Sequence, residues 1–427
     1  MRVTKIFPVS DHFPWFQQLL AWTQLQSHFI WLESNVEAVK DSYATYDWLI
    51  GADIHQQWDV AEIEKIREEI PDWYFGYFSY DYKNQIHGLT SSNPTSVDVP
   101  DAFFFQPKKV IYLQKGHLFF SYLEEIQQEI EVDYLFLTEE IYPLKSTEKS
   151  NLNITSIGKE TYLEAVQKVQ QHIQRGDIYE TNYCMEFVVK DANINPWQMF
   201  QELNRISKAP MSVFTKVGEQ FLLCASLERY LKRTGNQLIS QPIKGTAKRG
   251  KTNVEDENLK TALRNDPKEQ MENVMIVDMV RNDLSRLAVK NSVQVQELFG
   301  IYTFEQVHQM ISTIVAEVNN ETYWLDIIHA TFPMGSMTGA PKISAMKITE
   351  ALETFQRGWY SGTFGYITPT GDFDFNVVIR SIQYDASKKI VSFGVGSAIT
   401  IQANPELEYE ECLLKAKAMR EVLIANH

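Results

Sequence analysis

Short apolar and aromatic runs separated by turn residues dominate the first 145 residues and predict a strand-rich region. Residues 29–35 read as a strand that ends in a turn. The aromatic run 73–81 predicts a strand buried on both faces, with Gly76 allowing a close approach of another chain segment. Residues 110–113 and 117–120, separated by a Gln-Lys-Gly turn, predict a β-hairpin.

The rest of the chain mixes helical and strand patterns. Apolar residues spaced for one helical face predict amphipathic helices over 161–175, closed by Gly176, and over 197–206. Residues 361–400 alternate with turns and predict an antiparallel meander. Together these patterns indicate an α+β fold.

Two predicted helices carry carboxylates in their first turns. Asp266 and Pro267 predict a helix start, after which Glu269 and Glu272 share a face with apolar residues. Asn404-Pro405 predicts a second start, followed by Glu408, Glu411 and Lys415. Four such carboxylates from two helices suit Mg²⁺, which prefers oxygen ligands. The alternative is that these glutamates serve only as helix caps and favourable partners of the helix dipole.

Composition and charge restrict the classes of protein that the chain can represent. The chain has 427 residues, which allows two or three domains, and a net charge of -15 without a long basic run, so we expect neither nucleic acid nor membrane as a partner. Three cysteines do not make a disulfide framework. With no apolar run of membrane-spanning length, we expect a soluble cytoplasmic protein. A polar stretch at 147–153 predicts a linker between region 1–148, in a supporting or regulatory role, and region 149–427.

The stretch around Lys244 is a candidate for covalent chemistry. Gly245 lets a backbone amide approach a ligand closely, and Lys244 could act as a nucleophile or as a charge clamp. On the local residues alone, a lysine next to a glycine is most often part of a solvated turn.

Three other segments carry polar side chains or glycine amides. His308 alternates along a predicted strand, where a lone histidine is more often structural than catalytic. The glycine-rich turn 335–342 leads into a helix start whose free amides suit an anion, although its spacing is not that of a P-loop. Arg380 is predicted on the polar face of a strand with Asp374 and Asn376, and arginine is a natural partner for a carboxylate.

In this order, the motifs resemble the chorismate-utilising enzymes, the family of anthranilate, aminodeoxychorismate, isochorismate and salicylate synthases. The resemblance is strong over about residues 155–425 and weaker before them. It rests on GDIY (176–179), ASLERY (225–230), PIKGT (242–246), ENVMIVD (272–278), RNDL (281–284), GSMTGAPK (335–342) and EYEE (408–411). It implies a two-layer β-sandwich like that of anthranilate synthase, flanked by outer helices, with the active site in the cleft between the layers.

The resemblance also implies roles for individual residues. Glu272 and Glu411 would hold Mg²⁺ with Glu269 and Glu408 beside them, and Glu228 would be the general acid for the departing 4-hydroxyl of chorismate. The other implied substrate-binding residues are Gly245, Thr246, His308, Ser336, Tyr366, Arg380, Gly394, Gly396 and Lys415. Leu227 departs from the proline that is common before the glutamate, which changes the stiffness of the turn and leaves the acid in place.

The residue type at position 244 differs between the enzymes of the family that carry out different reactions. Anthranilate synthases carry alanine at this position, whereas aminodeoxychorismate synthases carry a lysine that is thought to attack C2 of the ring. Isochorismate and salicylate synthases use a lysine base at the position where this chain has Glu180, which argues against those activities. Among the aminating enzymes glutamine is the commoner residue at this position, so Glu180 is a second departure from the family. The resemblance therefore favours aminodeoxychorismate synthase component I.

None of the cysteines Cys184, Cys224 and Cys412 lies on a glycine-flanked elbow, so we expect a separate glutamine amidotransferase subunit to supply ammonia. No region is left over for a pyridoxal-dependent lyase, so we expect the product to be 4-amino-4-deoxychorismate, on the way to 4-aminobenzoate and folate. The alternatives are anthranilate synthase component I and a non-catalytic protein that keeps the fold for binding or regulation.

Overall fold

The computed structural model describes residues 1–9, 14–36, 38, 41–139 and 152–425. Most of the predicted linker 147–153, including the proposed boundary at residue 148, lies outside these residues. No helix in the described ranges is long and apolar enough to cross a membrane. The helices are α1 (Trp15–Thr23), α2 (Val60–Glu69), α3 (Lys83–His87), α4 (Glu129–Glu139), α5 (Lys159–Gln174), α6 (Pro196–Ser207), α7 (Asn253–Asn265), α8 (Pro267–Ser285), α9 (Trp324–Thr331), α10 (Lys342–Leu352) and α11 (Pro405–Ala425).

The strands all pair in the antiparallel sense. They are β1 (Arg2–Pro8), β2 (Phe29–Glu33), β3 (Trp48–Trp58), β4 (Tyr74–Phe78), β5 (Ala102–Gln114), β6 (His117–Leu123), β7 (Thr155–Ser156), β8 (Glu180–Val189), β9 (Met211–Val217), β10 (Gln220–Ser226), β11 (Arg229–Thr234), β12 (Gln237–Gln241), β13 (Ile243–Lys248), β14 (Gln294–Thr303), β15 (Val307–Glu317), β16 (Gly339–Ala340), β17 (Thr363–Ile367), β18 (Phe373–Asn376), β19 (Ser381–Asp385) and β20 (Ile390–Ile399).

The long strand β5 joins two layers of sheet. The first layer continues from β5 in the order β3-β2-β9-β10-β19-β20-β8, and the second in the order β4-β17-β18-β11-β12-β15, with β13 and β14 beyond. Apolar side chains from both layers, such as Leu222 and Phe364, form a shared core between them. Helices α1, α5, α6 and α11 lie on the first layer, and α8 lies on the second. This is the predicted α+β sandwich with outer helices.

Strands from the first 139 residues belong to the same two layers as the rest. Strand β2 pairs with β9, and β4 pairs with β17. The predicted hairpin is confirmed as β5 and β6, and the predicted buried strand as β4. In β4, a Cβ atom on Gly76 would lie 2.2 Å from the carbonyl oxygen of Phe103, so a side chain there would prevent the pairing with β5.

The chain crosses between the layers at two places that matter for the site. Leu227 and Glu228 connect β10 in the first layer to β11 in the second, and residues 377–380 return from β18 to β19. Val377 N donates to Glu228 O at 2.9 Å, and Ala225 N donates to Arg380 O at 3.1 Å. The second crossover is therefore hydrogen-bonded both to the first crossover and to the end of β10 beside it.

The prediction of one continuous strand through Arg380 is wrong. Strand β18 ends at Asn376, and Arg380 has a φ of +50°, in the left-handed region. The alternation that placed Arg380 on a face with Asp374 does not extend across the crossover. The arginine instead projects from the segment that joins the two layers.

Candidate active site

Lys244 lies in a β-bulge at the edge of the second layer. Ile243 pairs with Ile311 and Thr246 with Gln309, so strand β13 carries one more residue than β15 between these pairs. Gly245 has a φ of +103°, and a Cβ there would lie 3.1 Å from both Glu269 Oε2 and Met310 Cβ. The glycine is thus required by both conformation and space.

Two carboxylates face the Lys244 side chain. Its Nζ lies 3.9 Å from Glu272 Oε2, and the side chain is 16% exposed. Glu180, which is 2% exposed, has an Oε2 without a hydrogen-bond partner among the described residues. Burial raises the pKa of Glu180; Lys244 opposes this effect and Glu272 adds to it. The sequence marks Glu180 only as a departure from the family, and the structure shows it as a buried carboxyl group that interacts with Lys244.

Glu228 is a buried carboxyl group with a raised pKa. It is 4% exposed, and Ser336 Oγ donates to its Oε1 at 2.6 Å. Burial raises the pKa of Glu228 to about 7, although the Ser336 hydroxyl, the Ile243 amide and the charge of Lys244 each lower it. A carboxyl group with this pKa is substantially protonated at neutral pH and can act as a general acid.

The four predicted metal-binding glutamates lie on α8 and α11, whose starts are as predicted. Asp266 Oδ1 accepts from the amides of Lys268 and Glu269, and Asn404 Oδ1 accepts from those of Glu406 and Leu407. Asp266 N donates to Leu263 O, so Glu269 is not a capping-box partner of that amide.

The glutamates of the two helices interact with one another. Burial and then Glu272 raise the pKa of Glu269 to about 7, and burial and Glu411 raise that of Glu408. Burial would also raise the pKa of Glu411, but Lys415 outweighs it and lowers the value.

Lys268 connects the two helices, because its Nζ lies 3.7 Å from Glu272 Oε1 and 3.8 Å from Glu408 Oε1. Within the described ranges, no three of these acidic side chains are already arranged as a coordination shell. The donor set nevertheless suits a hard divalent cation, because partly buried carboxylates that repel one another are stabilised by a positive charge.

A positively charged pocket lies on the first-layer side of the cleft. Burial lowers the pKa of Arg380 to about 10. Burial and the charge of Arg380 also act to lower the pKa of neighbouring Lys415, but Glu411 and Cys412 outweigh them and the pKa of Lys415 is raised. Lys415 Nζ donates to Gly396 O at 2.9 Å and pairs with Glu411 Oε1 at 2.7 Å. Two cations that repel each other favour an anion between them, so this pocket suits a carboxylate.

Gly394 and Gly396 lie on β20 beside this pocket. A Cβ on Gly394 would lie 2.3 Å from the ring of Tyr360, and one on Gly396 would lie 2.7 Å from Cys184 Sγ. The two glycines therefore have a packing role whatever their amides bind.

Two predicted substrate contacts are contradicted by the structure. His308 is completely buried, and its ring nitrogens are engaged by Asp256 Oδ1 at 2.9 Å and Thr303 Oγ1 at 3.1 Å, on the other face of β15 from the cleft. Tyr366 packs among Tyr46, Trp73 and Phe75 in the core between the layers.

A neighbouring residue takes the predicted place of His308. Gln309, one position after His308, contacts Thr246 and Arg380. Strand β15 is buried on both faces, so its hydrophobic pattern did not show which residue faces the cleft. The polar Gln309 in an apolar run was the available signal.

Comparisons with known proteins identify the family of the chain. The family described as chorismate binding enzyme matches residues 21–421. Aminodeoxychorismate synthase component 1 of Bacillus subtilis (strain 168) is 31% identical over 385 residues, covering 86% of this chain and 81% of that protein. Anthranilate synthase component 1 of Thermus thermophilus is 30% identical over 352 residues, covering 81% and 76%.

A solved structure shows the same fold. The menaquinone-specific isochorismate synthase of Escherichia coli matches with a TM-score of 0.80 at 18% identity, over 99% of this chain and 94% of that one. Because the family match spans nearly all of the described residues and the fold agrees over both layers, the chain belongs to the chorismate binding enzymes.

Proposed function

We propose that the protein is aminodeoxychorismate synthase component I, which converts chorismate and ammonia to 4-amino-4-deoxychorismate. The observation that carries this proposal is Lys244 in a bulge beside Glu272, with the raised-pKa carboxyl of Glu228 close enough to sense its charge. Overall identity does not decide the reaction, because the aminodeoxychorismate and anthranilate synthase relatives are 31% and 30% identical. We base the choice between the two reactions on Lys244, the proposed nucleophile.

In the proposed reaction, the neutral amine of Lys244 attacks C2 of the ring and the two ring double bonds shift. The C4–O bond breaks, and Glu228 gives its proton to the hydroxyl, which leaves as water. Ammonia then forms a bond to C4, the double bonds shift back, and the lysine nitrogen leaves C2. The proton that Lys244 must lose before attack has an acceptor in the carboxylate of Glu180, which interacts with Lys244, because Glu272 would be engaged by the metal ion.

The remaining groups bind the substrate. Arg380 and Lys415 form the positively charged pocket for the side-chain carboxylate of chorismate, and Thr246 is linked to Arg380 through Gln309. We propose that Glu272 and Glu411 hold Mg²⁺, with Glu269 and Glu408 beside them, displacing Lys268 from between the helices. The ion would supply positive charge for the ring carboxylate.

The ammonia source is proposed to be a separate glutamine amidotransferase subunit. A glutaminase of that kind needs an accessible thiolate, whereas Cys184, Cys224 and Cys412 are all buried. Burial raises the pKa of each thiol, for Cys224 to about 12. Such thiols are unsuited to nucleophilic attack. We expect free ammonium to replace the partner in vitro.

The test is the identity of the product. The purified protein is incubated with chorismate, Mg²⁺ and ammonium, with and without added aminodeoxychorismate lyase, and the products are identified by mass and ultraviolet spectrum. We expect a compound of the mass of 4-amino-4-deoxychorismate that becomes 4-aminobenzoate only with the lyase, and none after removal of Mg²⁺ by EDTA.

Lys244→Ala should lose this product, and Lys248→Ala, an exposed lysine on the same strand, should keep it. Fluorescent anthranilate from the wild type without lyase would establish the rival anthranilate synthase activity. Failure to consume chorismate under any condition would support a non-catalytic protein. Full activity in Lys244→Ala would remove the lysine from the mechanism.

A further inference from the structure

Gln309 connects the two halves of the cleft through a single side-chain amide. It lies on β15 directly opposite Thr246 and is 3% exposed. Only one orientation of the amide satisfies its neighbours: Nε2 donates to Gly245 O and to Thr246 Oγ1, both at 2.9 Å, and Oε1 accepts from Arg380 Nη2 at 3.0 Å. The opposite orientation would set the amide oxygen against a carbonyl and its NH₂ group against a guanidinium.

The partner that Gln309 gives to Arg380 is neutral. Among the described residues, Arg380 forms no ion pair with a carboxylate; burial lowers its pKa, and its charge interacts with that of the cation Lys415. By contrast, the buried Arg229 is paired with both Asp41 and Asp374. An amide oxygen fixes the guanidinium in place but leaves its charge available to a ligand.

The same amide also fixes the nucleophile. Its donor end holds Gly245 and Thr246, the residues that follow Lys244 in the bulge. The separation between Lys244 and Arg380 is therefore set through one planar group. Reactions of bound substrates depend steeply on such separations.

We propose that Gln309 is a positioning residue of the chorismate site, which holds Arg380 and the Lys244 bulge at a fixed separation and keeps Arg380 unneutralised for a substrate carboxylate. The proposal rests on the proposed function for the role of Lys244. The part that concerns Arg380 requires only that the protein bind chorismate.

The test compares two replacements of nearly equal size. Gln309→Glu places a carboxylate against Arg380, where it forms an ion pair and competes with the substrate. Gln309→Met removes all three hydrogen bonds of the side chain without adding charge. For each variant, KM and kcat for chorismate consumption and the melting temperature with and without chorismate are measured, so that binding can be read even without turnover.

We expect Gln309→Glu to raise KM by about tenfold or more, the effect of losing one charge-assisted hydrogen bond, and to lose the stabilisation by chorismate. Its melting temperature without ligand should be close to that of Gln309→Met, because the new ion pair with Arg380 is offset by the carboxylate oxygen that faces Gly245 O. Gln309→Met should show the smaller rise in KM, together with a lower kcat.

Gln383→Glu is the matched control, because Gln383 is also a buried strand glutamine but accepts from Trp359 N, away from the cleft. It should lower the melting temperature and leave KM unchanged. The proposal is overturned if the rise in KM follows the loss of stability across the three variants, since that pattern would indicate a purely structural role. Product identity is measured separately, so failure of the proposed reaction and failure of the Gln309 assignment give different results.

Discussion

Removing the Ser336 hydroxyl should move the alkaline limb of the activity profile. Glu228 must be protonated to act as the acid, so activity falls as pH rises through its pKa, which is about 7. The Ser336 hydroxyl donates to Glu228 Oε1 at 2.6 Å and thereby stabilises the ionised form. Ser336→Ala removes this stabilisation, so the pKa of Glu228 and the alkaline limb should both move to higher pH.

The size of the shift follows from the hydrogen bond. A hydrogen bond to a charged group contributes about 1.5–3 kcal/mol, and about 1.4 kcal/mol corresponds to one pKa unit, which sets a range of about one to two units. Glu228 and Ser336 also line a cavity of ≈ 20 Å³, enough for one water molecule that could replace part of the interaction. We therefore expect a shift of about one unit.

The assay is the pH dependence of kcat/KM for chorismate at a constant concentration of free ammonia. Ser240→Ala is the control, because this buried serine lines the same cavity but donates to Tyr230 O. Its profile should coincide with that of the wild type. An alkaline limb that stays in place in Ser336→Ala, or moves to lower pH, would refute Glu228 as the group that titrates.

Three further predictions concern stability and metal binding. The pKa of Glu228 rises from 4.5 in the unfolded chain to about 7 in the folded protein, so the native state holds an extra proton and the free energy of unfolding falls as pH rises between these values. In denaturant titrations, Glu228→Gln should remove this pH dependence, which amounts to at most about 3 kcal/mol. Arg357→Met should cost about 3–5 kcal/mol in urea unfolding because it leaves buried Glu353 unpaired, and the double variant Arg357→Met/Glu353→Gln should cost less. Mg²⁺ with chorismate should raise the melting temperature of the wild type but not of Glu272→Gln, and equal shifts would exclude Glu272 as a ligand.

The fold and much of the site could be predicted because local signals agree with the final structure. Asp266-Pro267 and Asn404-Pro405 specify where α8 and α11 begin, and this fixes the glutamates of each helix on one face. Glu228 and Lys244 were found through motifs, and the structure gives both surroundings that suit their predicted roles. Their catalysis stays a prediction until the product is identified.

The errors arise where the backbone leaves a regular repeat. A one-residue change reverses the face of a strand, which separates His308 from Gln309. The bulge at Lys244 and the left-handed conformation at Arg380 likewise break the period of two on which the sequence prediction depended. These distortions depend on pairing between distant strands, and a local pattern does not contain that information.

The two crossovers have a consequence for the order in which ligands bind. Glu228 and Arg380 lie on the covalent links between the layers, so the sandwich cannot widen at this end without breaking their hydrogen bonds. The facing boundary is formed by α8 and α11, one from each layer, where the half-exposed Lys268 side chain lies between Glu272 and Glu408. Chorismate would enter there, and an ion bound by both helices would close that entrance. We therefore expect substrate to arrive first, and product to depart only after the ion has left.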